Sequence, residues 1–103
     1  MLIRSQDKKA LCLLSNIEIV EKYKNIKSGK RETIGYTIYN LGGNDIETVL
    51  ADYSTEEKAI KVLDMIESAY YNLECSKFLG RENDRFASCV FQMPKDEEVS
   101  NYK

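Results

Sequence analysis

The first half of the chain alternates apolar and polar positions with a period of two, the pattern of half-buried β-strands. The most regular run is RETIGYTIYNL at 31–41. As a strand it places Ile34, Tyr36 and Ile38 on one face, and Gly35, Thr37, Tyr39 and Leu41 on the other. Further strand candidates occupy 2–6, 10–14, 17–26 and 46–53. Turn-forming segments such as KSGK and GGND separate them, which predicts an antiparallel meander of about five strands.

The run 17–26 departs from strict alternation. Ile17 and Ile19 lie on one face of a strand, whereas Val20 lies on the other. This change predicts that the strand leaves the core or contains a bulge.

After residue 53 the apolar spacing changes to three and four, which predicts an amphipathic helix. Ser54 and Glu57 match a capping box, so we expect the helix to begin there and to end near Gly80. The predicted apolar stripe comprises Ala59, Val62, Leu63, Met65, Ile66, Ala69, Tyr70 and Leu73. The opposite face is charged and consists of Lys58, Lys61, Asp64 and Glu67. The stripe predicts packing of the helix on the sheet.

The end of the chain contains an apolar run, VFQMP at 90–94, followed by acidic residues. The run predicts a C-terminal strand, and 95–103 a flexible acidic tail. The predicted fold class is therefore α+β, with 1–103 as a single domain: an antiparallel β meander, one amphipathic helix packed on it, and a C-terminal strand.

The composition narrows the possible functions. The chain has 103 residues and no histidine, which removes histidine-dependent catalysis, and Glu82 and Asp84 on a polar segment are a weak basis for acid–base chemistry. We therefore expect a protein that is not an enzyme. Cys12, Cys75 and Cys89 lack metal-site spacing, so we expect reduced structural thiols, no metal and no cofactor. The apolar runs are too short to cross a bilayer and no signal peptide is recognisable, which predicts a cytoplasmic protein without membrane contact.

Charge is distributed unevenly along the chain. The net charge of −2 argues against a specific nucleic-acid binder, but EKYKNIKSGKR at 21–31 has five basic residues and one acidic residue. This segment is either a solvated hairpin tip or a patch for a phosphate-bearing ligand. The acidic residues Asp96, Glu97 and Glu98 are either part of the flexible tail or a contact surface for a basic partner.

Three stretches carry a resemblance: MLIRSQDKKAL at the start, YSTEEKAIKVLDMI at the helix, and VFQMPKDEEV near the end. They resemble a group of small, uncharacterised proteins of low-GC Gram-positive bacteria, their phages and their prophages. The resemblance implies a mobile-element protein of one compact domain, and small phage proteins without catalytic machinery often bind a component of host immunity. We therefore hypothesise a non-catalytic antagonist of host antiviral defence that sequesters a cyclic nucleotide immune signal. The alternatives are an anti-CRISPR-like inhibitor that binds a host defence protein directly, and a housekeeping interaction domain.

A cyclic nucleotide needs cations for its phosphates and aromatic rings for its bases. The candidate ligand-binding residues are Arg81, Arg85, Phe86, Tyr36, Tyr39, Lys30 and Arg31. Such sites often lie across a subunit interface, so we expect a homo-oligomer. In the alternative interpretation, Phe86 fills the core and the two arginines of its segment are solvated.

Overall fold

The computed structural model describes residues 1–26, 29–42, 46–78 and 90–99. Its elements are β1 (Leu2–Arg4), β2 (Leu11–Leu13), β3 (Asn16–Asn25), β4 (Arg31–Leu41), β5 (Glu47–Tyr53), α1 (Glu56–Phe78), β6 (Val90–Gln92) and a short 3-10 helix (Asp96–Glu98). The predicted α+β class, with a packed helix and a C-terminal strand, is confirmed. The bounds of β4 are those of the predicted strand.

The strands form two three-stranded sheets, in the orders β2-β1-β6 and β3-β4-β5. The predicted meander is interrupted between β2 and β3, which lie in different sheets, and β6 pairs parallel to β1 at the edge of the first sheet. The Asn40 side chain fixes the chain where it passes from β2 to β3: its Oδ1 accepts from the Ser15 N–H at 3.0 Å and its Nδ2 donates to the Leu13 carbonyl at 3.0 Å. A local polar anchor therefore separates two strands that are adjacent in sequence.

Gln6 joins the two sheets. Its backbone N–H donates to the Leu50 carbonyl at 2.7 Å. Its side-chain amide accepts from the Asp52 N–H at 3.2 Å and donates to the Asp52 carbonyl at 3.1 Å. Gln6 thus hydrogen-bonds backbone groups at the outer edge of β5, much as a residue of a neighbouring strand would.

The core lies between α1 and the sheets, with α1 packed over β4 and β5. Its buried apolar residues are Ile3, Ile38, Leu50, Ala51, Tyr53, Ala59, Val62, Ile66, Met93 and Val99. A β-bulge contributes to it: Ile38 pairs with Ala51 and Tyr39 with Val49, so Leu50 is an extra residue in β5. Leu50 and Ala51 are both buried, although they are adjacent in the chain.

The start of α1 differs from the predicted capping box. Thr55 caps the helix, because its Oγ1 accepts from the Lys58 N–H at 3.2 Å and its carbonyl accepts from the Ala59 N–H at 3.2 Å. The Ser54 N–H donates instead to the Asp96 carboxylate at 2.8 Å. The prediction that Ser54 is the cap was therefore wrong by one residue: its hydroxyl donates to the carboxylate of Asp96, 42 residues along the chain, and the same carboxylate accepts the N–H that a capping box would give to Glu57.

The face of the helix was also predicted only in part. Ala59, Val62 and Ile66 are buried as expected, but Met65 is 40% exposed. Lys58, placed by its periodicity on the solvent side, is buried, and its Nζ donates to the Asp96 carbonyl at 3.0 Å. The C-terminal segment covers the first turn of α1 and encloses this lysine.

Residues 95–99 form part of this packed structure, in contrast to the flexible tail expected from 95 onward. Asp96 binds the start of α1, and Val99 is buried in the core. An acidic composition suggested a solvated tail, but one apolar residue and one hydrogen-bonded carboxylate suffice to anchor it. Residues 100–103 of the expected tail lie outside the described residues.

Candidate functional site

The hairpin formed by β3 and β4 extends beyond the part of the sheet that the helix covers. From Val20 to Ile26, and from Arg31 to Ile34, every residue is exposed. The pairing persists as far as Asn25 opposite Arg31. We call residues 21–34 the arm; residues 27 and 28 at its turn lie outside the described residues.

A bulge marks the base of the arm. Lys22 pairs with Gly35 and Tyr23 with Thr33, which leaves Ile34 as an extra residue in β4. The strand at 17–26 leaves the core from Val20 onward, as one of the two predicted alternatives has it, whereas the extra residue of the bulge lies in β4 and not in this strand. A bulge bends its strand and increases the local twist, and this one lies where the arm begins.

The arm carries five basic and two acidic residues, a net charge of +3. Two of the lysines are paired: Lys24 Nζ lies 3.8 Å from Glu32 Oε2, and Lys22 Nζ lies 3.6 Å from Asp52 Oδ1. Within the described part of the chain, Lys30 and Arg31 have no ion pair. The uncompensated positive charge is therefore concentrated at the tip.

Arg31 is oriented by an aromatic ring. Its guanidinium carbon lies 4.6 Å from the centre of the Tyr23 ring, the distance of a cation–π contact. Stacking holds one flat face of the guanidinium and leaves its N–H edges available to a carboxylate or phosphate. Tyr23 was not among the candidate residues. The signal available in the sequence was the position of this aromatic residue between two lysines. Its contact with Arg31 follows from the diagonal positions of the two residues in the hairpin.

The structure does not bring Tyr36 or Tyr39 to this tip. Tyr36 and Tyr39 lie five and eight residues from Arg31 along β4, or about 16 and 26 Å at the rise of an extended strand. They also lie on opposite faces, as the period-two pattern requires. One pocket within a single chain therefore cannot contain both tyrosines and the tip cations. Arg81, Arg85 and Phe86 lie outside the described residues.

The surroundings of Tyr36 are acidic. It is half-buried against the core, and this burial, together with the charges of Glu21, Glu56 and Glu57, raises the pKa of its hydroxyl. These three carboxylates would repel a phosphate. The position of Tyr36 therefore suits packing better than the binding of an anionic ligand.

A second polar cluster joins the start of α1 to the C-terminal segment. The Tyr53 hydroxyl donates to the Pro94 carbonyl at 2.7 Å, and the Asp96 carboxylate accepts from the Ser54 hydroxyl at 3.0 Å. Lys58 Nζ lies 3.3 Å from the same carboxylate. Each group is already satisfied by the chain itself, so this cluster accounts for packing and does not form a binding site.

Other kinds of site have little basis in the part of the chain that the structure describes. No group of three or more potential metal ligands occurs there. No helix among those residues is long and apolar enough to span a membrane. No protein-family model matches the chain, and the searches found no similar curated protein and no similar solved structure. The arm is therefore the candidate functional surface.

Proposed function

We propose that the protein is a non-catalytic binding protein that antagonises host antiviral defence by attaching the tip of its arm to an acidic surface of a host defence protein. The observation that carries the proposal is the exposed arm, whose tip holds an oriented Arg31 and a Lys30 that forms no ion pair with any described residue. The antiviral setting rests on the resemblance of the two chain ends and the helix start to phage and prophage proteins. The absence of histidine from the sequence supports the non-catalytic part.

A macromolecular partner fits the arm better than a small molecule does. Small ligands are usually bound in concave sites that bury most of their surface, whereas the arm is exposed on both faces. One shallow cavity along α1 is lined by Glu67, Ser68, Tyr71 and Asn72, and these described residues include a carboxylate and no cation. A protruding hairpin instead presents side chains and a strand edge to a protein surface.

The proposal can be tested by phage infection of hosts that each carry one defence system. Expression of the parent chain should restore plaque formation in at least one host, and Lys30→Glu/Arg31→Glu should abolish the effect. The reversal replaces two cations with carboxylates that an acidic surface repels, so the affinity for the purified target should fall roughly tenfold or more.

Lys8→Glu/Lys9→Glu is the matched control, because it makes the same charge change on the exposed β1–β2 turn. It should protect phage as well as the parent does. Protection by the arm variant at the parental level would contradict the role of the arm, and the absence of protection in every host would contradict the anti-defence assignment.

Sequestration of a cyclic nucleotide is the second candidate function, favoured by the contact of Arg31 with Tyr23. A phosphate could bind the guanidinium edge while a base stacks beside the ring. In this case calorimetry with a panel of cyclic nucleotides should detect binding, and Arg31→Ala should weaken it by about 1.5–3 kcal/mol through loss of a charge-assisted hydrogen bond. Released ligand should be intact. No binding across the panel would exclude this candidate, and hydrolysed ligand would contradict the non-catalytic assignment.

A further inference from the structure

The outer edge of β3 has no backbone partner among the described residues. β3 is the terminal strand of its sheet, and no described strand pairs with its other side. An edge strand presents a row of backbone N–H and C=O groups that can pair with another chain. Ten residues, Asn16–Asn25, form an unusually long edge of this kind.

The helix leaves this edge uncovered, because α1 packs over β4 and β5. On the other face of the strand, away from the core, Glu18 and Lys22 are exposed and Val20 is 40% exposed. The edge therefore has accessible backbone groups and accessible side chains on this face, while Ile17 and Ile19 pack against the core on the opposite face.

The sequence of β3 is complementary to itself when it is reversed. If two copies pair antiparallel about a two-fold axis at Val20, Glu18 of each copy lies opposite Lys22 of the other. The same register places Ile17 opposite Tyr23. Opposite charges and apolar–aromatic pairs both stabilise antiparallel strands, and here each pair occurs twice.

Neighbouring registers that keep the two helices on the same side of the sheet are less favourable. Centring the axis on Glu18, Glu21 or Lys22 places that charged residue opposite its own copy. Centring it on Ile19 creates no pair of opposite charges. Only the register centred on Val20 has opposite-charge pairs and no like-charge pair.

We propose that β3 pairs with β3 of a second copy of this chain in that register, so that a homodimer has one continuous six-stranded sheet. Lys22 lies between two carboxylates in this arrangement, Asp52 of its own chain at 3.6 Å and Glu18 of the partner. This inference does not rest on the proposed function, because it concerns the strand edge and not the target of the arm tip.

Charge reversal tests the register as well as the dimer. Glu18→Lys places lysines opposite Lys22 at both pairs, and Lys22→Glu places two carboxylates together, so each variant should dimerise about tenfold more weakly or worse than the parent. A mixture of the two variants restores both opposite-charge pairs. Native mass spectrometry should then show a heterodimer, and analytical ultracentrifugation should give near-parental affinity.

Glu47→Lys is the control, because it makes the same charge change on β5 of the same sheet, away from the β3 edge. It should dimerise like the parent. Thermal melts establish that the variants fold; should Lys22→Glu not fold, Val20→Lys replaces it, because it puts two lysines on the axis and should also yield monomers. A monomeric parent at high concentration, unchanged dimerisation of Glu18→Lys, or no heterodimer between folded variants would overturn the proposal.

Discussion

At the scale of single residues, Asp96 joins the C-terminal segment to the start of α1. Its carboxylate accepts the Ser54 N–H at 2.8 Å and lies 3.3 Å from Lys58 Nζ. One side chain thereby satisfies a backbone donor beside the first turn of α1 and the charge of a buried lysine. A buried lysine without such a partner would be costly.

The same contacts predict how stability depends on pH. Hydrogen bonds from Ser54, opposed by partial burial and aided by Lys58, lower the pKa of Asp96 in the folded chain. A carboxyl group whose pKa is lowered by folding stabilises the protein above its unfolded value and loses that contribution as the pH falls through the folded value. The contribution of Asp96 should therefore be complete above about pH 4 and decline below it.

Asp96→Asn should lower the free energy of unfolding by about 1 kcal/mol at neutral pH, a modest value because the side chain is 37% exposed and screened by solvent. Urea unfolding of both proteins across a pH series should show the difference shrinking as the pH falls below about 4. Glu97→Gln, at an exposed position beside Asp96, should show no such difference. A gap between Asp96→Asn and the parent that does not change with pH would contradict the assignment.

At the scale of elements, α1 shows how far periodicity predicts a buried face. Ile66 is 5% exposed and Met65, its neighbour, is 40% exposed, although both belong to the predicted stripe. A turn of 3.6 residues allows a stripe of limited width to reach a sheet, so part of a wide apolar pattern stays exposed. Periodicity predicts the helix and its approximate buried face, and contact with the sheet determines which residues lie at the centre of that face.

Ile66→Ala should therefore lower the free energy of unfolding by roughly 2–5 kcal/mol, through lost burial and a residual cavity. Met65→Ala should cost well under about 1 kcal/mol, since the removed atoms are largely exposed and alanine favours helix. Chemical denaturation of the two variants beside the parent measures both values. Equal losses would mean that the helix faces the sheet differently.

The candidate site illustrates a second limit at the scale of elements. The sequence predicts β4 at its observed bounds and the departure of β3 from the core, because alternation and its interruption are local properties, but it places no bulge in β4. The period of two also places Tyr36 and Tyr39 on opposite faces of the strand, so the sequence pattern itself argued against one pocket within a single chain that contains both. The contact between Tyr23 and Arg31 required the hairpin register, which depends on a bulge whose position only the pairing defines.

At the scale of the whole molecule, the two sheets meet through side chains as well as through strands. Gln6 pairs with the edge of β5, and Asn40 holds the passage from β2 to β3. These amides lie 46 and 25 residues from the backbone groups that they bind. Gln6 occupies part of the outer edge of β5, whereas the outer edge of β3 has no backbone partner among the described residues, which is why the proposed dimer uses β3.

The sequence by itself determined the α+β class, the strand 31–41, the helix and the basic arm, because each depends on periodicity or composition within a short segment. The tertiary structure alone decided that the strands divide between two sheets, that Thr55 and not Ser54 caps α1, and that Lys58 is buried. All three depend on contacts between segments distant along the chain, most directly those that Asp96 makes with Ser54 and Lys58. The sequence around a carboxylate in an acidic C-terminal run does not show whether that carboxylate is solvated or binds the start of a helix. Only the packed chain decides between the two.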